Sequence, residues 1–393
     1  MHFKRAAIAL FFALASSGLA HADTGQNAYD RGDHKAALDY WRPLANKGDA
    51  AAQLKLGEMY KLGDGIEKDL KQALKWYRKA AEQGNAKAEF DLGAMYDKGE
   101  GMAKNHAQAI LWYRKAADQG YADAQYNLGV IYDEGEGVPK DRTLAFVWYS
   151  KAAEQGNAAA QFNVGVMYDN GDGVDQDKSQ AIAWYRKAAD QGNVDAQYNL
   201  AIMYDSGEGI TKDSGQALAW YRKAADQGKI EAQYNLAVMY RDGAGVPKDG
   251  ARAVTWFRKA ADQGDADAQY NLGTMYADGD GIAEDDVEAI AWFRKAADQG
   301  DVEAEYNLGV MYRDGEGVAK NGPEAVGWFE KAAAENYADA ALNLGVMYRD
   351  GDGVPADRAK SLEWFSRAKA MSGDDSEPDG NEDMPLQRKS IPI

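Results

Sequence analysis

Apolar residues recur at spacings of three and four along this chain in stretches of about a dozen residues, and the whole pattern returns every 36 residues. In the unit from Tyr121 to Gly156, Ala124, Leu128, Gly129 and Tyr132 fall on one helical stripe and predict a helix, A. Asp133 to Lys140 then holds Gly135, Gly137 and Pro139, which do not continue a helix comfortably and predict a loop. Ala145, Trp148, Tyr149, Ala152 and Ala153 resume the helical spacing and predict a second helix, B. The register never slips. Trp76, Trp112, Trp148, Trp184, Trp220, Trp256, Trp292, Trp328 and Trp364 each stand 36 residues from the last. Tyr60 to Tyr348 keep the same period, each followed three and five residues on by Gly. Nine units therefore run from 49–84 to 337–372. The fold class this predicts is all-α: a right-handed α-α superhelix, or solenoid, of nine 36-residue helix-turn-helix repeats.

The helix ends repeat as well. Asp69, Asn105, Asp141, Asp177, Asp213, Asp249, Asp285, Asn321 and Asp357 precede helix B, and all are preferred N-cap types. Helix B closes on Gly84 and its equivalents to Gly300, with Asn336 at the eighth place, the other residue that tolerates the left-handed conformation. Arg-Lys pairs such as Arg114-Lys115 sit towards the helix B C-terminus, where the macrodipole favours cations. Gly129 and its equivalents change only to Ala201 and Ala237, so helices A and B are expected to touch there. A buried Trp covers about 150–250 Å², roughly 4–6 kcal/mol gross before entropy. One unit alone has no second wall for that surface, so stacking is obligatory.

Outside the array the pattern changes. Residues 1–22 read as a signal peptide, with Lys4 and Arg5 before the apolar run Ala6 to Ala15 and small residues up to Ala22. Residues 23–48 predict a shorter hairpin that caps the array, and 373–393 read as an acidic disordered tail. The expected location is periplasmic or secreted, without stable membrane insertion, because the apolar run is far shorter than a spanning helix needs. The net charge of -18 argues against nucleic acid, whose phosphates need clustered Lys and Arg. It favours a neutral or basic partner. With no Cys, stability rests on packing rather than on disulfides.

The run Ala124-Gln125-Tyr126-Asn127-Leu128-Gly129, then Tyr132, Gly135, Gly137 and Val138, then Trp148-Tyr149 and Lys151-Ala152-Ala153, resembles the Sel-1-like repeat family. Its members are related to the tetratricopeptide repeat, with a longer loop between the helices, and the resemblance spans 49–372. It implies a binding module whose helix A faces line a concave groove that takes extended peptides. Residues 23–48, with Tyr29, Gly32 and Trp41 and with Pro43 late in the second helix, look like one tetratricopeptide hairpin. Some exported members of the family control sensor kinases or exopolysaccharide production through a membrane partner, so a regulatory role is open.

Catalytic chemistry is poorly supplied. His34 and His106 are the His residues beyond the leader, and neither has an evident partner set, so both read as surface residues. Some family members are linked to penicillin binding or β-lactamase activity, and Ser366-Arg367-Ala368-Lys369 matches Ser-x-x-Lys. No Ser-Asp-Asn or Lys-Thr-Gly accompanies it, which leaves a β-lactam or cell-wall hydrolase the weakest reading. The acidic loop Asp278 to Asp285 has Ile282 where a calcium loop of the EF-hand type needs an oxygen ligand, so a glycine turn is expected. No catalytic residue, metal site or cofactor is expected.

The candidate site is a ladder on helix A: Tyr126 and Asn127, Phe162 and Asn163, Tyr198 and Asn199, Tyr234 and Asn235, Tyr270 and Asn271, Tyr306 and Asn307. Amides that bond to peptide backbone and rings that give contact area at low entropic cost suit an extended peptide. The bland alternative, rings packed between helices and amides bonded locally, stays open beside it. The sequence thus points to a non-enzymatic scaffold or adaptor of the bacterial envelope that binds a protein or peptide. A carbohydrate or peptidoglycan-binding module is the alternative, because aromatic ladders also stack on sugars.

Overall fold

The computed structural model describes residues 25–372, and these form helices joined by short turns, with no strand among them. The predicted leader and the acidic tail lie outside the described residues. The chain divides into two compact units, Met1–Ala196 and Gln197–Ile393.

In the first unit a short helix α1 (25–30) and α2 (His34–Asn46) precede the helix pairs α3 (Ala50–Leu62) and α4 (Leu70–Ala81), α5 (Ala86–Lys98) and α6 (His106–Asp118), α7 (Ala122–Glu134) and α8 (Arg142–Glu154), and α9 (Ala158–Asn170) and α10 (Lys178–Asp190). Pro43 is accommodated inside α2, and Trp41 is buried beneath Gly25, where an added Cβ would lie 2.4 Å from the indole nitrogen. The second unit takes in most of α11 (Val194–Ser206), then α12 (Ser214–Asp226). It continues with the pairs α13 (Ile230–Asp242) and α14 (Gly250–Asp262), α15 (Ala266–Asp278) and α16 (Asp286–Ala297), α17 (Val302–Asp314) and α18 (Gly322–Ala334), and α19 (Ala338–Asp350) and α20 (Arg358–Ser372).

The ends follow the cap chemistry. Every Asp or Asn ahead of helix B accepts from backbone N–H groups of the first turn, as Asp141 does from Leu144 at 2.9 Å. Asn336 is the one non-Gly residue at positive φ among the described residues, 64°, where the seven preceding units have Gly. Within each pair the helices meet at the small residue of helix A. An added Cβ on Gly129 would lie 2.4 Å from the Tyr149 ring, and one on Gly309 2.6 Å from Phe329. The ring of helix B fills the space that a side chain would take.

Seven of the repeat Trp residues are buried, while Trp184 and Trp364 are partly exposed. The Lys three residues on folds over the indole, at 3.5 Å for Lys223 on Trp220 and 4.2 Å for Lys151 on Trp148. The Arg beside that Lys reaches into the next repeat, as Arg222 does when it donates to the Tyr240 hydroxyl at 3.0 Å. The Arg-Lys pairs therefore do more than meet the helix dipole.

A buried glutamine ladder joins the repeats. Gln125 of α7 donates to the Ala117 carbonyl in the last turn of α6 (3.0 Å) and accepts from Gln155 at the end of its own repeat (2.7 Å). Gln269 does the same with Ala261 (3.0 Å) and Gln299 (2.8 Å). Each such Gln adds a second hydrogen bond to a carbonyl in the last turn of helix B that already accepts from the Gly three residues on, as Ala117 does from Gly120 at 3.0 Å. Three repeats depart from this, the ninth with Ala341 in place of the glutamine. Glu89 accepts from Gln119 at 2.6 Å, and Glu305 faces Glu335 where six of the repeats pair two glutamines. Burial pushes the Glu305 carboxyl up from its ordinary range despite Lys331, and the Glu335 and Asp301 charges push it further.

Candidate functional site

Helix A places the ladder residues on one face because Tyr126 and its equivalents precede the buried Leu by two positions and flank the close contact with helix B. Each ring leans on the helix B aromatic of its own repeat: Tyr126 on Tyr149 (centroids 5.8 Å), Phe162 on Tyr185 (5.8 Å), Tyr198 on Tyr221 (5.9 Å), Tyr234 on Phe257 (5.6 Å) and Tyr270 on Phe293 (5.8 Å). These five stay half-buried, one side packed and the other open. Tyr306 differs. It is only 3 % exposed, held between Phe329 and Tyr337.

The amides bond mainly back to the ladder. Asn163 hydrogen-bonds the hydroxyls of Tyr126 and Tyr149, and Asn235 those of Tyr198 and Tyr221. Asn127 bonds Tyr113, and Asn307 bonds Tyr270. Asn271 is 9 % exposed, bonds Tyr234, accepts from Arg241 at 2.7 Å and donates to the Asp267 carbonyl at 2.8 Å. Asn199 is half-buried beside Tyr198. The phenols are consequently ordered and neutral. Burial and the nearby Glu303 and Asp301 carboxylates push the Tyr270 hydroxyl up to about 12. A small cleft of about 40 Å³ lies where Tyr270, Asp278 and Phe293 meet Asn307 and Val310 of the next repeat.

The surroundings are acidic, with Glu231 and Asp267 exposed one turn ahead of Tyr234 and Tyr270. Two cations stand among them: Lys229 bonds Glu231 (3.5 Å) and lies 5.5 Å from the Tyr198 ring centroid, and Arg241 lies beside Tyr234 and Asn271.

One expectation from the sequence is corrected. His106 does have a partner set: its Nδ1 lies 3.2 Å from Asp97 Oδ1, and Glu136 comes close enough that ligand atoms of all three lie within 4.8 Å of one another. Its second partner sits 30 residues on, in the turn of the next repeat, so neighbours along the chain do not reveal it. Comparing equivalent positions does, because Arg142 and Lys178 hold the place of His106 in the following units. Ser366 and Lys369 lie within the terminal helix α20.

The Sel1 repeat model matches nine consecutive segments, from 50–85 to 338–372. The chain belongs to the Sel1 repeat family. Proteins built of Sel1 repeats generally mediate protein–protein interaction. Among solved structures this Sel1 repeat chain is similar to c5321, a protective antigen of uropathogenic Escherichia coli strains with an SLR fold. The two are 38 % identical with a TM-score of 0.72, over 84 % of this chain and 79 % of that one. It is also similar to a Sel1 repeat protein from Oxalobacter formigenes, 38 % identical with a TM-score of 0.54, over 61 % of this chain and 96 % of the other. Curated proteins yielded no match. Among the described residues no helix is long and apolar enough to cross a membrane.

Proposed function

We propose that this Sel1 repeat protein is a non-enzymatic scaffold of the bacterial cell envelope that binds a neutral or basic protein segment, in extended form, on its helix A face. The observation that carries the reading is the stretch Tyr198, Tyr234 and Tyr270: three half-buried rings in consecutive repeats, each fixed from behind and open in front, with Glu231 and Asp267 exposed beside them. Rings already immobilised by packing and by Asn235 and Asn307 lose little entropy on binding. Because the amides are largely engaged with the phenols, peptide backbone meets the outward side of this network, and recognition leans on the rings and the carboxylates. Equivalent residues two helix packings apart stand about 16–20 Å from each other, so three repeats suit an extended ligand of about 10–12 residues. The envelope location rests on the predicted leader.

The test screens extended peptides of that length, of basic, neutral and acidic composition, against the chain, with a glycan array beside them. Basic peptides are expected to bind, more weakly as salt rises. Tyr234→Ala with Asn235→Ala, checked for unchanged helicity and melting temperature, is expected to lose that binding at least about tenfold, the scale of one interface anchor. Glycan binding without peptide binding would replace this reading with the carbohydrate one, and a folded double variant that binds as wild type would move the site off the helix A face.

A further inference from the structure

In the first unit the end of helix A and the start of helix B in one repeat meet the glycine turn of the next, and in three repeats the first residue of helix B sets a cation or an imidazole beside carboxylates there. Arg142, the first residue of α8, lies 3.6 Å from Asp133 at the end of α7 and pairs with Asp172 of the following turn. Lys178, the first residue of α10, pairs with Asp169 at 2.6 Å. His106 is the same residue of α6, and its carboxylates are Asp97 and Glu136. An imidazole thus stands where the two following repeats keep a permanent charge.

The geometry at His106 departs from that of an ordinary ion pair. Asp97 Oδ1 is buried and accepts no hydrogen bond, although Nδ1 lies 3.2 Å from it. The ring N–H direction therefore misses the carboxylate. Two ligand atoms bound to one ion at 2.0–2.2 Å, and subtending 90–110° at it, lie roughly 2.8–3.6 Å apart, so this separation suits a shared ion. Positive charge at the N-terminus of α6 is opposed by the helix dipole, and the two carboxylates offset that opposition.

We propose that Asp97, His106 and Glu136 form a binding site for a divalent transition-metal ion of the Zn²⁺ class, with one nitrogen and two carboxylate oxygens as protein ligands and water at the remaining positions. Imidazole with carboxylate selects Zn²⁺ and its neighbours over Mg²⁺ or Ca²⁺, which prefer all-oxygen sets. The ion takes the place of the guanidinium one repeat on and ties the turn of one repeat to that of the next. Those turns already touch: a Cβ on Gly137 would lie 2.6 Å from the His106 Cβ.

The experiment titrates the untagged, metal-free chain with Zn²⁺ by calorimetry in excess Mg²⁺, follows Co²⁺ by its visible absorption, and records the melting temperature with and without Zn²⁺. One saturable site and a melting temperature that rises with Zn²⁺ are expected. His106→Arg installs the side chain that Arg142 carries in the same setting, so it is expected to fold and melt like the metal-free wild type while losing both the site and the Zn²⁺ response. Glu136→Gln is expected to weaken binding, and His34→Gln to leave it unchanged. Saturable Zn²⁺ binding that survives intact in His106→Arg, or a wild type that binds no more Zn²⁺ than that variant, overturns the proposal.

Discussion

The two units share a backbone plan, and three repeats of the first and two of the second tie neighbours together with opposite charge placement. In three repeats of the first unit helix A ends on Asp97, Asp133 and Asp169, and helix B begins with His106, Arg142 and Lys178, so the cation or imidazole projects from helix B. In two repeats of the second unit helix A carries Arg241 and Arg313 at the same places, and helix B begins with Gly250 and Gly322. The guanidinium now runs along the helix A face. Arg313 makes a fork to Asp314 (2.8 and 2.7 Å) and donates to Asn343 of the next repeat, which also bonds the Tyr306 hydroxyl at 3.4 Å. Backbone packs on backbone at this junction in both units: a Cβ on Gly281 would lie 2.1 Å from the Gly250 carbonyl carbon, and one on Gly173 2.4 Å from the Arg142 carbonyl oxygen. Exchanging one cation between two positions therefore moves the link between repeats from the turns to the helix A face. The amide that the guanidinium meets is buried in both cases, Asn271 beside Arg241 and Asn343 beside Arg313, while Tyr234 stays half-open and Tyr306 is closed in by Phe329 and Tyr337. The same fold thus offers an open ladder in one stretch and a closed one in another.

The largest effect tests what the units have in common. Trp148→Ala and Trp328→Ala remove equivalent buried rings, 2 % and 7 % exposed, and each is expected to cost about 3–5 kcal/mol in chemical denaturation. A cost confined to one unit would show that the repeats do not share one core. Next in size is the contrast itself. Arg313→Ala leaves Asn343 and Asp314 without their buried donor and is expected to cost about 2–3 kcal/mol, whereas Arg142→Ala removes a half-exposed pair and is expected to cost about 0.2–1 kcal/mol. Equal costs in the two variants would erase the distinction drawn between the units.

The smallest effect carries a pH dependence. Glu305 holds its proton more tightly folded than unfolded, so its ionisation penalises the native state, and stability falls as pH rises from the ordinary value of 4.5 through the raised folded value. Glu305→Gln installs the glutamine that six of the repeats carry, which donates to the preceding helix B as Gln269 does to Ala261. It is expected to stabilise by about 1 kcal/mol at neutral pH, with the gain shrinking as pH falls towards 4.5. Thermal melts of both proteins at several pH values check this, and a gain independent of pH would remove the carboxylate from the explanation.

Much of the candidate site was legible as residue types and little as availability. The sequence places Tyr234 and Asn235 on helix A, but the bonds of Asn235 to Tyr198 and Tyr221 join residues 37 and 14 positions away. Gln125 stood inside the repeat motif without a role until Ala117 and Gln155 appeared beside it.

What the sequence by itself determined is the local layer: helices from apolar spacing, their starts from Asp141 and its equivalents, their ends from Gly135 and Gly156, and the meeting of A with B at Gly129. These rest on interactions within a few residues or on a steric requirement that only a small side chain meets. Only the tertiary structure decided which residues of successive repeats face one another: that Glu136 comes to His106, that Arg313 closes over Asn343, and that Glu305 meets Glu335. Those pairings depend on the offset with which one repeat stacks on the next. Side-chain volumes across the whole interface set that offset, and no single repeat contains both sides of it.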